Sequence, residues 1–273
     1  MQLVEYWIDQ FKVSFELDGT TELGPATVLL EADDNVIRDS GWNDRGYCVA
    51  PFLSEQYRRQ LCEGFAELIR GEMEAVGVRT GPGFRLEKYH RMVTDEQHAA
   101  VIHRTRVGFE GHQFPIRLDV VAQRISEICR APVSVAGPKY SGRPFFLRIV
   151  RPNKAQDNNP PHRDVWLDHL RDGVNIYVPI AGSNAQSSLP VVTGSHTWSE
   201  SEIERSVSGA RIQGFKYTVP TVTRANRGIV MTRPDPKPDE VLVFSPYLIH
   251  GGAVNLNEDT TRVSLEMRLW RRP

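Results

Sequence analysis

Apolar and polar positions follow two different periods along this chain, and the period changes near residue 142. In the first stretch, WIDQFKVSFEL (7–17) is rich in aromatic and β-branched residues and reads as a strand. Asp18-Gly19 is a hairpin-type turn pair, predicting a second run that ends near Glu31. From Ser54 the period becomes helical: Tyr57, Leu61, Phe65, Leu68, Ile69 and Met73 share one face, and Ser54 can cap the start. Thr94 followed by Gln97 forms a capping box that predicts a second helix to about Thr105. A third helix is expected from Pro115 to Cys129, with Leu118, Val121, Ile125 and Ile128 facing the core.

Beyond Gly142 short runs of strand formers alternate with Pro, Gly and Asn. They are FFLRIV (145–150), VNIYVPI (174–180), LPVV (189–192), EVLVF (240–244) and RVSLEMRLW (262–270), a pattern of an all-β sandwich or barrel. The segment 195–232 is long for a connection; SESEIERS (199–206) within it reads as a small helix with Ser199 as cap and Glu202 as its partner. A lid and a plain insertion are both open for it. The expectation is one domain over 1–273, in which a β/helical buttress (1–140) supports a β-rich core (141–273).

Composition narrows the function classes. Of 273 residues 40% are hydrophobic and 25% charged, an ordinary globular balance. Lys and Arg (33) nearly cancel Asp and Glu (34), leaving a net charge of -1, so no broad field recruits nucleic acid or an anionic membrane. The start, MQLVEYWIDQ, lacks the basic region and apolar core of a signal peptide, and no apolar run reaches the roughly 18 residues of a membrane span. Cys48, Cys62 and Cys129 fit neither a disulfide framework nor a zinc site. A cytoplasmic protein with reduced thiols and a small-molecule ligand is the expectation.

Three residues could carry chemistry together. His162 and Asp164, two apart in a strand, would present an imidazole and a carboxylate on one face. His250, where the strand run VLVFSPYLIHGG gives way to glycines, would complete a two-histidine, one-carboxylate set that leaves metal positions open. The bare motif decides little, since 8 histidines and 34 acids in 273 residues give about one His-x-Asp/Glu by chance. Twelve residues beyond His250 (262 − 250), Arg262 and Ser264 share a strand face, with Val263, Leu265, Met267 and Leu269 on the other. A guanidinium with a nearby hydroxyl can grip a carboxylate bidentately; the plain alternative is that Arg262 pairs with Glu266. Arg-x-Ser also stands at Arg38–Ser40 and Arg124–Ser126, so the tripeptide matters only by its place.

In this order the residues resemble the Fe(II)/2-oxoglutarate-dependent dioxygenases, and in particular the phytanoyl-CoA dioxygenase-like branch. GYCVAPFLSEQYRRQL (46–61) is similar to the opening strand and helix of that branch. LPVVTGSH (189–196) is similar to its proline-glycine-serine-histidine segment, with Thr193 where proline is usual, and KPDEVLVFSPYLIHGGAVN (237–255) to the stretch through its last metal histidine. The likeness spans about residues 46–270. It implies a mainly β fold with flanking helices, a double-stranded β-helix (jelly-roll, cupin-like) barrel buttressed by N-terminal helices. It implies Fe(II), 2-oxoglutarate as co-substrate and O2, with His162, Asp164 and His250 as iron ligands. Arg262 would anchor the far carboxylate of 2-oxoglutarate and Ser264 would assist. Asn175 and Tyr177, alternating onto one strand face, would hold 2-oxoglutarate, while Arg148 and Trp166 would face substrate. An intact Asp164 points to hydroxylation rather than halogenation, and His196 would be structural. His90, His98, His103, His112 and His169 are read as solvent or packing residues. Two other readings stay open: a cupin-type sugar epimerase or isomerase, and a non-catalytic jelly-roll binding protein.

Overall fold

The computed structural model describes residues 1–108, 111–137, 145–167, 170–207, 209–212 and 215–272. The chain opens with β1 (Gln2–Ile8) and β2 (Phe11–Asp18), an antiparallel hairpin that turns at Asp9, whose φ is 51°. The hairpin therefore lies inside the first predicted run. Asp18-Gly19 does not close one; it passes the chain to β3 (Thr21–Leu23), which pairs in another sheet.

After β4 (Tyr47–Pro51) come three helices: α1 (Glu55–Ala75), α2 (Asp95–Gly108) and α3 (Leu118–Cys129). Ser54 Oγ accepts from the Tyr57 amide (3.4 Å), and Thr94 and Gln97 exchange the reciprocal bonds of a capping box (3.0 and 3.2 Å). The third helix starts three residues later than its periodicity suggests. Pro115 packs directly onto Gly64 of α1, and Arg117 at the helix N-cap is still extended. The buried stripe of α1 (Leu61, Phe65, Ile69, Met73) and that of α3 (Val121, Ile125, Cys129) face one large core.

The other wall of that core is a six-stranded antiparallel sheet. It is built of β5 (Val133–Ser134), β6 (Phe145–Val150), β7 (Gly173–Ala181), β13 (Glu240–Phe244) and β14 (Arg262–Arg271) together with β4, in the order β4-β13-β7-β14, with β5 and β6 both on the far edge of β14. Strand alternation sorts the faces. Ile176 and Val178, Val241 and Val243, and Val263, Leu265, Met267 and Leu269 go to the helices. Asn175, Tyr177, Leu242, Phe244, Arg262, Ser264, Glu266 and Arg268 point the other way.

The opposing sheet is assembled from short pieces. Residues 195–232 contain β8 (Ile203–Ser206), β9 (Ala210–Ile212), β10 (Phe215–Tyr217), β11 (Val222–Ala225) and β12 (Val230–Met231). A five-stranded sheet runs β10-β9-β2-β1-β12, and β3, β8 and β11 form a separate three-stranded one. Past β12 the larger sheet is prolonged by single bridges, Thr232 to Val191, Val191 to His250 and His250 to His162. Together the two curled sheets make the jelly-roll barrel that the likeness implied, mainly β with helices on one flank. LPVV (189–192) contributes the lone bridge residue Val191 instead of a strand, because Pro190 has no amide to give a ladder. In 199–206 the capping box of Ser199 and Glu202 is present, yet it starts one short turn (Glu200–Glu202) before β8 takes over. Among the described residues no helix is long and apolar enough to cross a membrane.

Candidate active site

Backbone pairing brings the distant histidines together. His162 and His250 exchange both main-chain hydrogen bonds (2.9 and 3.0 Å), so their side chains leave the same face and the rings lie 4.4 Å apart. Asp164 is not on a continued strand, as alternation suggests. Its amide bonds to Pro246 O (3.0 Å) and it opens a tight turn, Asp164–Trp166. The carboxylate still reaches the imidazoles because Arg163 between them leaves in the opposite direction. Its buried guanidinium meets Glu200 and the carbonyls of Ser195 and Trp198.

The three ligand-type side chains lie within 4.8 Å of one another and are all buried. Asp164 Oδ1 is 3.3 Å from His162 Nε2 and 3.8 Å from His250 Nε2. Each imidazole donates its Nδ1–H to a backbone carbonyl, His162 to Pro160 (2.7 Å) and His250 to Leu248 (2.9 Å). That fixes the tautomer and turns both Nε2 lone pairs toward the carboxylate, an arrangement suited to binding a cation. Burial, with His162 alongside, pushes His250 down to about 4 and keeps the ring neutral. Burial alone would raise the Asp164 carboxyl, but the Arg268 guanidinium outweighs it and the carboxyl lies well below the usual range. Gly251 serves the same geometry. Its φ is 103°, and a Cβ there would stand 2.6 Å from Pro160 O and 2.9 Å from His162 Nδ1.

Arg262 has unusual company. It is 1% exposed, donates to Ser187 O (2.6 Å) and lies over the Tyr177 ring at 5.9 Å. Its Nε has no partner, nor does the buried hydroxyl of Ser264. Among the described residues no acid pairs with it. Glu266, the plain alternative, binds Arg148 instead (3.1 Å), across the strand pair β6 and β14. A buried cation without a counter-ion is costly, which marks a place for an anion. A small chamber of about 30 Å³ is lined by Arg262, His162 and His250, with Arg148, Glu266 and Arg268 on its walls.

That chamber adjoins a cavity of about 440 Å³ that reaches His162 and Asp164. Amide side chains of Gln156, Asn158 and Asn159 line one side; Phe146, Leu147 and Leu170 line another; and Phe215, Lys216 and Tyr217 of β10 overhang it. Arg148 lines both spaces. Asn175 is drawn to Asp164, its Nδ2 donating to Oδ2 (2.9 Å), and Tyr177 shares a hydrogen bond with Ser183 (2.7 Å) under Arg262. Trp166 is not brought to the cavity. Its indole N–H donates to Glu200 (2.9 Å), and Arg205 covers its ring.

Sequence reasoning missed Arg268, which donates to Asp164 Oδ2 from Nε (3.0 Å) and approaches it with Nη2 (2.9 Å). The signal was available: strand alternation carries the inward face from Arg262 through Ser264 and Glu266 to Arg268. Among the other histidines, His196 donates Nε2–H to Asn43 O (2.8 Å), a structural role. His98 is buried against Asp157 (3.2 Å) and Tyr89 (3.1 Å), and the half-buried His90 bonds to Asp259 (2.9 Å) and Thr261 (2.8 Å). His103 and His112 are exposed, and His169 lies outside the described residues.

No protein-family model matches this sequence, and no curated protein matches it. Solved structures of similar shape include AviO1 from Streptomyces viridochromogenes Tue57, with 17% identity and a TM-score of 0.44 over 85% of this chain and 94% of that one. EctD from S. alaskensis with 2-oxoglutarate and 5-hydroxyectoine has 14% identity and a TM-score of 0.47 over 94% and 86%. SnoN, a non-heme alpha-ketoglutarate-dependent epimerase from nogalamycin biosynthesis, has 13% identity and a TM-score of 0.40 over 85% and 82%. With likenesses this distant, function has to be read from the side chains of this chain.

Proposed function

We propose that this protein is an Fe(II)- and 2-oxoglutarate-dependent oxygenase that hydroxylates a C–H bond of a small polar molecule. His162, Asp164 and His250 would hold the iron. Two imidazoles that spend Nδ1–H on backbone carbonyls and turn Nε2 inward, with one ionised carboxylate, are the donor set that suits ferrous iron with vacant positions. Arg262 would bind the far carboxylate of 2-oxoglutarate, assisted by Ser264. The observation that carries the reading is a buried guanidinium, Arg262, with an unpartnered Nε and no acid paired to it among the described residues, lining the same chamber as His162 and His250. Among the described residues no acid is paired with Arg262, and a planar guanidinium fits a carboxylate.

When bound, iron and its co-substrate supply O2 activation, coupling decarboxylation of 2-oxoglutarate to succinate and CO2 with oxidation of a substrate C–H bond. The chain orients and isolates that chemistry. Pro160 O and Leu248 O hold the imidazoles in place, Arg262 and Ser264 fix the far end of the co-substrate, and Tyr177 supports Arg262 from below. Arg148 spends its charge on Glu266, Asp157 bonds to Arg151 and His98, and Arg268 pairs with Asp164, so apart from Lys216 the larger cavity offers mostly neutral hydrogen-bonding groups. A small polar substrate fits such a lining, with the β10 residues Phe215, Lys216 and Tyr217 acting as a lid within 195–232.

The test is formation of succinate from 2-oxoglutarate by the purified protein with Fe(II) and O2, across a panel of small polar metabolites. Succinate release that needs iron, rises with one metabolite and is lost in His162→Ala and Asp164→Ala supports the reading. Full activity in either variant overturns it. Binding of iron and 2-oxoglutarate without turnover on any metabolite would favour a non-catalytic binding protein.

A further inference from the structure

We infer that Arg268, together with Asn175, restricts Asp164 to a single donor oxygen and thereby keeps one more coordination position open beside the imidazoles. The inference rests on the metal reading above and assigns Arg268 a positioning role. The two residues are cross-strand partners on β14 and β7, directly opposite in register. Both converge on the same oxygen: Arg268 Nε at 3.0 Å, Arg268 Nη2 at 2.9 Å and Asn175 Nδ2 at 2.9 Å, all to Oδ2. Arg268 Nε–H and Asn175 Nδ2–H fill the two lone pairs of that oxygen, with Arg268 Nη2 in ion-pair contact beside them. Oδ1 is left to face the two Nε2 atoms. The guanidinium is itself held over the Phe146 ring at 5.4 Å.

Turning the carboxylate so that both oxygens face a metal would break both hydrogen bonds and the ion pair at a side chain only 2% exposed, which is costly. The count of positions shows what this secures. An octahedral ion with two imidazoles and a two-oxygen carboxylate has two positions left. A co-substrate that chelates through a carboxylate and an adjacent carbonyl fills both, leaving none for O2. With one oxygen from Asp164 three positions remain, two for the chelate and one for O2. Charge is also placed: the guanidinium sits on the oxygen that does not face the metal.

The experiment compares Co(II)-loaded wild type, Arg268→Met, Arg268→Lys and Asn175→Ala. X-ray absorption reads whether the carboxylate donates one oxygen or two, and calorimetry without O2 reads the affinities for Co(II) and 2-oxoglutarate. Wild type should show one carboxylate oxygen. Arg268→Met should show two, with 2-oxoglutarate affinity down by about 10- to 100-fold and Co(II) affinity within about threefold. Arg268→Lys, which restores one charged donor, should recover part of the loss, and Asn175→Ala should shift the same way by less. One-oxygen coordination with unchanged 2-oxoglutarate affinity in Arg268→Met overturns the inference. So does a Co(II) affinity that collapses together with the coordination, since that is mere loss of the site. If Arg268→Met does not fold, the lysine and Asn175 variants decide by the same readouts. Wild type that binds no Co(II) at the three residues would instead sink the metal reading itself.

Discussion

Replacing Arg262 by methionine should make the protein more stable and unable to hold 2-oxoglutarate. In the ligand-free chain the guanidinium is buried with one carbonyl, Ser187 O, and the face of Tyr177 for company. Burial lowers its pKa, the sign of a charge held at a cost. Methionine fills similar volume without the charge, and exchanges of this kind in protein interiors stabilise by about 1–3 kcal/mol. For a chain of this size that is a rise in Tm of roughly 3–10 °C. The co-substrate should respond oppositely. Losing one partner of a buried guanidinium–carboxylate contact costs about 2–5 kcal/mol, or a Kd for 2-oxoglutarate weaker by roughly 30- to several-thousand-fold. Wild type with 2-oxoglutarate at about a hundred times its Kd should gain about 2.7 kcal/mol, and the variant less than about 1 kcal/mol at that concentration. Differential scanning fluorimetry with Mn(II), with and without 2-oxoglutarate, reads both effects, and anaerobic calorimetry gives the Kd. A variant that is clearly less stable than wild type, or that binds 2-oxoglutarate within about threefold of it, would refute the assignment of Arg262. Arg262→Lys should fall between, keeping charge but losing the planar fork.

Other consequences can be checked on the same material. Arg163→Met leaves Glu200 short of its main charge partner in the interior, so it should cost about 3–5 kcal/mol, seen as a drop of roughly 10 °C in Tm. Gly251→Ala should weaken metal binding more than it lowers Tm, because the added Cβ strikes Pro160 O and the His162 ring; equal metal affinity in a titration would contradict that. Burial tends to raise the Asp157 carboxyl, but Arg151 and His98 outweigh it and bring it to about 2. Its contribution of about 2 kcal/mol is therefore present above pH 4 and lost as pH falls toward 2. The stability gap between wild type and Asp157→Asn should close over that window, and a gap independent of pH would refute the ion-pair reading.

What the sequence disclosed was whatever depends on period and spacing. The α1 stripe, the capping box at Thr94 and the strands 145–150 and 240–244 follow from local chemistry, and the structure has them at those positions. His162, Asp164, His250 and Arg262 were visible as an ordered set. Local signals failed where partners come from far away. Asp18-Gly19 looks like a hairpin turn, but β2 and β3 find partners in β9 and β8, over 180 residues on. The segment 195–232 reads as loop because its strands are two to four residues long, and β8, β9 and β12 join a sheet only by pairing with β3, β2 and β1 from the start of the chain. Trp166 follows the metal motif closely, yet the turn after Asp164 swings it to Glu200, a buried acid no local pattern announces. Arg268 was legible by alternation alone; what hid it was that its partner, Asp164, lies on a different element.

The central claim is most directly tested by titrating Fe(II) and then 2-oxoglutarate into the protein without O2, following visible absorption. The account predicts one iron per chain and a new band on adding 2-oxoglutarate, lost in His250→Ala and, at the second step only, in Arg262→Met. Iron that binds equally well without His250, or a band unchanged without Arg262, would contradict it.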